Sequence, residues 1–196
     1  SAQAISTMIK RLNKSGYLVH EPYKGVRLTQ SGEKIAMPSL RRHRLTEVFL
    51  VKVMKYDWAS AHELSDVFER GVNDELEDRI DELAGHPTRC PHGEPIPSKD
   101  GIMPKIKDEA LIGVPSGSDC VISRVRTHDA DKLRYIAEIG LVPGKPFHLF
   151  SCAPFKGPLR LQMKPQDHLI GYELASSIWV EVTKKGEGNT PLPLKK

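Results

Sequence analysis

The apolar residues of this 196-residue chain change their period once, and that change limits it to two folded units of different kind. Up to Gly85 they recur at three- and four-residue steps, the repeat of an amphipathic helix. Beyond Leu111 they gather into short runs between Gly and Pro turns, the habit of β-strands. Between the two, His86 to Pro104 is crowded with Pro, Gly and His; it reads as a linker holding the domain boundary, with 98–110 as the connecting stretch. The expected fold class is α+β: a helical first part and a small β-barrel.

Ile5, Met8, Ile9 and Leu12 predict a helix over Ala2 to Lys14, with Lys10, Arg11 and Lys14 giving it a basic side and Gly16 ending it. Tyr17 to His20 and Val26 to Thr29 read as strands joined by a turn from Glu21 through Pro22 to Gly25. Helix then hairpin is the order of recognition helix and wing, so 1–34 is assigned to a winged helix-turn-helix. A long helix is expected from Ser31 to Met54, kinked or interrupted by Pro38, with Ile35, Leu45, Val48, Phe49 and Val53 as its buried stripe. Ser60 and Glu63 form a capping-box pair for a helix carrying Ala61, Leu64, Phe68 and Val72. Asn73 caps another with Leu76, Ile80 and Leu83, and together these elements make 35–97 a helical domain. Strands at 120–125, 146–150, 159–163 and 178–182, with a helix from Ala130 to Ile139, predict a bent barrel of about five strands over 111–183. The polar, aperiodic 184–196 is expected to be disordered.

Three widely spaced cysteines, Cys90, Cys120 and Cys152, argue against a disulfide framework and for a reducing compartment. No apolar run reaches membrane-spanning length and no secretory signal pattern opens the sequence, so a cytoplasmic protein with no membrane partner is expected. The net charge of +4, with both signs interspersed, permits DNA binding without showing it.

His43 and Glu47 stand at i and i+4 on one helix face, and His62, Asp66 and Glu69 at i, i+4 and i+7 on another. Mixed nitrogen and oxygen donors on neighbouring helices suit a borderline or hard divalent cation, although each spacing alone also describes a solvated helix face. His86, Cys90 and His92 are good zinc ligands in type, but they lie among prolines and no further pair completes a tetrahedral set. No nucleophile, oxyanion donor or His-Glu-x-x-His pattern accompanies the histidines, so a metallohydrolase, and enzymes generally, are disfavoured.

Three stretches carry a resemblance: Glu21 to Thr29 in the hairpin, Arg41 to Leu45 in the long helix, and Gly85-His86-Pro87 to Cys90-Pro91-His92-Gly93-Glu94-Pro95-Ile96-Pro97. They make the chain resemble the diphtheria toxin repressor family of iron- and manganese-dependent regulators. The segments Glu138 to Gly144, Pro154 to Leu159 and Gly171 to Ala175 are similar to the FeoA-like barrel that many members carry. The resemblance implies a winged helix whose first two helices are missing from this sequence, a helical dimerisation domain, and a barrel supplying a ligand or an interface.

Carried over by position, His43, Glu47 and His62 match the family's ancillary metal site, and Asp66 and Glu69 match two primary-site positions. Arg70 stands where a primary histidine is expected; a guanidinium offers no lone pair, and it is expected instead to neutralise Asp66 or Glu69. The principal site is therefore expected at His43, Glu47 and His62, completed by Asp129 from the barrel, a residue whose place just before the helix at Ala130 equally suits an N-cap. The implied function is a metal-dependent repressor of metal-homeostasis genes, with Mn(II), or else Fe(II), as corepressor. Its expected partners are a second copy of the chain and an inverted-repeat DNA operator. Gln3 and Thr7 are candidates for base contact, Ser1, Ser6, Lys10, Lys24 and Arg27 for phosphate, and Tyr23 for the wing tip. Leu64, Phe68, Val72 and Leu76 face either a symmetric partner or the core of their own domain. The alternative is a protein-interaction module of an iron-transport system acting through the barrel.

Overall fold

A computed structural model describes residues 1–21 and 23–188, so Pro22 of the expected turn and 189–196 of the expected disordered tail lie outside the described residues. The chain opens with α1 (Ala2–Lys14), N-capped by Ser1, and the antiparallel hairpin of β1 (Leu18–Glu21) and β2 (Gly25–Leu28). No residue of α1 is buried, and Ile5 is 63% exposed.

The helix α2 runs unbroken over Gln30–Lys52 with Pro38 inside it, so the expected interruption does not occur. Leu45, Val48 and Leu50 are buried, whereas Ile35 and Val53 are exposed; the expected stripe holds only where α3 (Trp58–Phe68) and α4 (Asp74–Ala84) cover α2. The cap of α3 is Asp57 rather than Ser60. Its carboxylate accepts from the Ala59 and Ser60 amides, and the helix begins one turn earlier so that Ala59 and Ala61 can be buried. Asn73 caps α4 through the Leu76 amide, and Gly85 ends it at φ 77°.

The tract after α4 is not the loose linker its composition suggests. Arg89 and Pro95 form a bridge, the Cys90 amide donates to the Glu94 carbonyl, and Cys90, His92 and Ile96 are buried. Arg44 of α2 donates to the Pro95 carbonyl and Arg41 to that of Pro97. Prolines and glycines here shape a tight, packed turn, not a flexible one.

Six antiparallel strands form the second sheet, in the order β3-β8-β4-β5-β6-β7. They are β3 (Glu109–Ala110), β4 (Ser118–Val125), β5 (Pro146–Cys152), β6 (Leu159–Gln162), β7 (His168–Ile170) and β8 (Ile178–Lys184). Register shifts between β4 and β8 and between β5 and β6 are the bulges that bend such a sheet around a core. Leu111, Ile122, Leu149, Leu161 and Val180 fill that core with Leu133 and Ile136 of α5 (Ala130–Glu138); α6 (Tyr172–Ser176) precedes β8. Lys184 ends a strand, and the Gly186 and Gly188 amides bond to Ser118 Oγ and the Ser116 carbonyl, so 184–188 is ordered rather than disordered.

The helical and sheet units are joined at three levels. Ala59 of α3 belongs to the sheet's core cluster, and the Val125 amide of β4 donates to the His92 carbonyl at 2.8 Å. Arg124 of β4 grips Asp108 through two bonds of 2.8 and 3.0 Å and reaches Glu94 at 3.1 Å, where Arg44 and Arg126 also converge. Gly93, at φ 87°, lies against β4: an added Cβ would fall 2.2 Å from the Ser123 carbonyl oxygen and 2.8 Å from Arg124 Cα. Gly93→Ala is therefore expected to cost about 2 kcal/mol or more, combining overpacking with a left-handed backbone. Urea denaturation against the parent chain measures it.

Candidate metal centre

Glu47 is the organising residue. It lies in the part of α2 covered by its neighbours and is 3% exposed, a carboxylate with almost no access to water. Such a charge persists only with partners, and three imidazoles provide them at one oxygen. Oε1 lies 2.9 Å from His62 Nδ1, 3.4 Å from His92 Nδ1 and 3.5 Å from His43 Nε2. Cys90 Sγ is 3.8 Å from His92 Nδ1. Burial opposes ionisation of Glu47, but hydrogen bonds from His43, His62 and His92 outweigh it and hold the carboxyl well below the usual range. The Glu47 hydrogen bond raises His43 against the cost of its burial, while burial, followed by the charge of Glu47, pushes the Cys90 thiol well up.

Three overlapping groups of ligand atoms lie close enough to share a cation: His43, Glu47 and His62; Glu47, Cys90 and His92; and His43, Asp66 and Glu69. In the third, His43 Nδ1 is 3.0 Å from Glu69 Oε2 and 3.3 Å from Asp66 Oδ1. The Nδ1 of His92 faces the Glu47 carboxylate and the Cys90 thiol, and its buried Nε2 has no hydrogen-bond partner among the described residues, an unsatisfied lone pair or N–H on the other side of the ring. Donors of all three kinds fit a divalent transition metal.

Of the expected ligands, His43, Glu47, His62, Asp66 and Glu69 come together in these groups. Asp129 does not: its carboxylate caps α5 by accepting from the Asp131 and Lys132 amides. The sheet-side residue at the centre is its neighbour His128, whose Nδ1 is 3.4 Å from His62 Nε2. Arg70 is exposed and makes no ion pair or hydrogen bond among the described residues, so it does not neutralise Asp66 or Glu69, which face His43. Spacing groups Cys90 and His92 with His86 and leaves that set incomplete; in the fold His86 pairs with Asp81, and Cys90 and His92 lie with Glu47, more than forty residues earlier. Spacing within the tract could not reveal a partner supplied by a distant helix.

The DNA-side candidates Ser1, Gln3, Ser6, Thr7 and Lys10 all lie on the exposed α1, where Thr7 Oγ1 donates to the Gln3 carbonyl. Tyr23 is fully exposed at φ 63°, and Lys24 and Arg27 both reach Glu21. The four apolar candidates for a partner surface divide. Val72 is buried in the helical core and Phe68 packs against it, whereas Leu64 and Leu76 are 39% and 41% exposed. Val72 is thus a core residue of its own chain, because the turn after α3 carries it inward.

Residues 29–98 match the iron dependent repressor, metal binding and dimerisation domain, and residues 110–182 match the FeoA domain. A solved manganese-dependent transcriptional repressor in complex with manganese is 33% identical, covers 93% of this chain and 85% of its own, and superposes with a TM-score of 0.83. The chain belongs to the diphtheria toxin repressor family. Within that family, the iron-dependent repressor IdeR of Mycobacterium leprae is 28% identical over 155 residues, 73% of this chain and 67% of the relative. The diphtheria toxin repressor of Corynebacterium efficiens is 30% identical over 97 residues, 50% of this chain and 42% of that one. The family's metal-binding and dimerisation domain thus spans α2, α3, α4 and the packed tract.

The metal-free cluster has a pH signature. The raised His43 contributes stability that is fully present below the ordinary imidazole value of about 6.5 and is lost as pH rises through its folded value. In chelator, the parent chain is expected to lose stability as pH rises above the ordinary imidazole value, and His43→Gln to lose less. Chemical denaturation at stepped pH reads the difference.

Proposed function

We propose that this protein is a transcriptional repressor that binds DNA as a homodimer under the control of a divalent cation, Mn(II) or Fe(II), held around Glu47. The observation that carries this is the buried Glu47 carboxylate ringed by His43, His62, His92 and Cys90. The ligands come from α2, from α3 and from the tract that β4 grips, with His128 of the sheet unit beside His62. A bound cation would supply the positive charge that lets these donors converge. The side chains then tie three elements to one point, which favours one arrangement of helices and sheet over others. An effector acts only through its different affinity for two states, so the donors must be better assembled in the DNA-competent one.

In this reading 1–34 reads DNA, 35–97 binds metal and dimerises, and 111–183 buttresses the centre. Gln3 and Thr7 face base edges, Ser1, Ser6, Lys10, Lys24 and Arg27 serve the phosphates, and Tyr23 tips the wing. The exposed Leu64 and Leu76, with Val67 at 69% exposure, supply apolar surface for a second copy. Two-fold symmetry of the dimer calls for an inverted-repeat operator. The role is regulatory rather than enzymatic and belongs in the cytoplasm; among the described residues no helix is long and apolar enough to cross a membrane. Relatives that are themselves named as repressors favour this over an interaction module of a transport system.

Fluorescence anisotropy with an inverted-repeat operator, using the full-length protein with Mn(II), Fe(II), Zn(II) or chelator, tests the reading. Metal is expected to tighten binding by about tenfold or more, within the usual range of allosteric coupling; equal affinity in chelator overturns it. Cys90→Ser and His92→Gln are each expected to weaken metal binding by roughly tenfold or more. Gln3→Ala should reorder the preference among operator variants, whereas Arg27→Ala should weaken all of them and lower the salt slope.

A further inference from the structure

His92 is held at one ring nitrogen and open at the other. Its Nδ1 lies 3.4 Å from Glu47 Oε1 and 3.8 Å from Cys90 Sγ, whereas Nε2 is buried without a hydrogen-bond partner among the described residues. A neutral imidazole carries one N–H and one lone pair. While Nδ1–H donates to Glu47, Nε2 holds the lone pair. Ligation through Nδ1 reverses this: the lone pair is needed at Nδ1, and the single N–H must sit on Nε2, where no oxygen, nitrogen or sulfur of the described residues receives it. Against the ring lies Trp58 instead. The two ring centroids are 5.4 Å apart with their planes at 76°, an edge-to-face pair. Trp58 opens α3, is half-buried and packs against the core of the sheet unit, one helical turn before His62.

We infer that Trp58 is a positioning residue of the metal centre: the face of its indole accepts the Nε2–H of His92 and holds the ring in the tautomer that turns a lone pair toward Glu47 and Cys90. This rests on the metal-centre reading above. An aromatic face is the negative side of the ring quadrupole, so it attracts an N–H and repels a lone pair. Two groups thus pull the one proton of His92 in opposite directions, the Glu47 carboxylate toward Nδ1 and the indole toward Nε2. The carboxylate is the stronger attractor and prevails in the empty centre. When ligation displaces the Nδ1 proton, the indole stabilises the remaining tautomer; the proton passes from Nδ1 to Nε2 through solvent and the imidazole stays neutral. His62 is a second edge-to-face neighbour of His92, at 5.6 Å and 86°, but the indole has the more electron-rich face. The contact also fixes the orientation of the ring, since Trp58 is anchored in the core of the sheet unit and the His92 carbonyl is bound by the Val125 amide of β4.

The test is nitrogen-15 NMR of the full-length protein with labelled histidine, free and loaded with diamagnetic Zn(II), for the parent chain, Trp58→Phe and Trp58→Leu, with His92→Gln assigning the resonance. In the loaded parent the His92 ring proton should sit on Nε2, shifted upfield because it lies over an indole face. Trp58→Phe should keep a smaller upfield shift. Trp58→Leu should lose the shift and bind Zn(II) roughly tenfold more weakly, the usual effect of removing a group that orients a ligand. A merely structural role for Trp58 would leave the proton unshifted in every variant. A loaded parent with the His92 proton on Nδ1, or on Nε2 without the upfield shift, overturns the role of Trp58 and leaves the metal centre standing. A shift that survives Trp58→Leu does the same, because its source is then His62. If Trp58→Leu does not fold, the parent and Trp58→Phe spectra decide between these outcomes. A parent chain that binds no Zn(II) overturns the metal-centre reading together with the role of Trp58.

Discussion

The structure depends on keeping one carboxylate charged where water cannot reach it. Glu47 is 3% exposed, and its ionised form survives because three imidazole nitrogens approach a single oxygen. Removing one partner from a buried ionic group costs about 3–5 kcal/mol, because the remaining charge is left uncompensated. The positions of α2, α3 and the Cys90–His92 turn are therefore set by one polar constraint as much as by apolar packing. A site held in that way is already partly assembled before any ligand arrives, which lowers the entropy that binding must overcome.

The second constraint is the seam between the helical and sheet units. Three arginines, Arg44, Arg124 and Arg126, converge on Glu94, and Arg124 also grips Asp108 with the bidentate geometry that guanidinium favours. Trp179 lies under Arg124 and Arg126 at 4.7 and 5.0 Å. These contacts, with the bond from Val125 to the His92 carbonyl, fix the turn carrying Cys90 and His92 from both sides. Movement of the sheet unit relative to α2 would pull on the Cys90–His92 turn directly, and this mechanical continuity is what the proposed control by a cation requires.

Local patterns in the sequence carried much of the fold. The helix Ala2–Lys14, the cap at Asn73, the stop at Gly85 and four of the six strands of the larger sheet follow from periodicity and turn chemistry, which act over a few residues. The short β3 and β7 were missed because two or three residues show no alternation. The site was half legible. His43 and Glu47, and His62, Asp66 and Glu69, are visible as helix-face spacings within single helices. The joining of Cys90 and His92 to Glu47, and the approach of His128 to His62, are tertiary facts with no local signature. Asp129 shows the converse: a carboxylate of suitable type, just before a helix, was taken up by the helix's own amides. The tract from His86 misled by composition, since Pro and Gly mark a tight buried turn as readily as a loose connection.

The proposed control depends on one cation being gripped by Glu47 together with Cys90 and His92, a donor set that no single helix could supply. X-ray absorption of the Zn(II)-loaded full-length protein tests it directly, because sulfur and light-atom scatterers are distinguished by distance and amplitude. The account predicts one sulfur at about 2.3 Å beside nitrogen and oxygen neighbours at about 2.0–2.2 Å, with the sulfur lost in Cys90→Ser. A first shell of nitrogen and oxygen alone in the parent protein would contradict it.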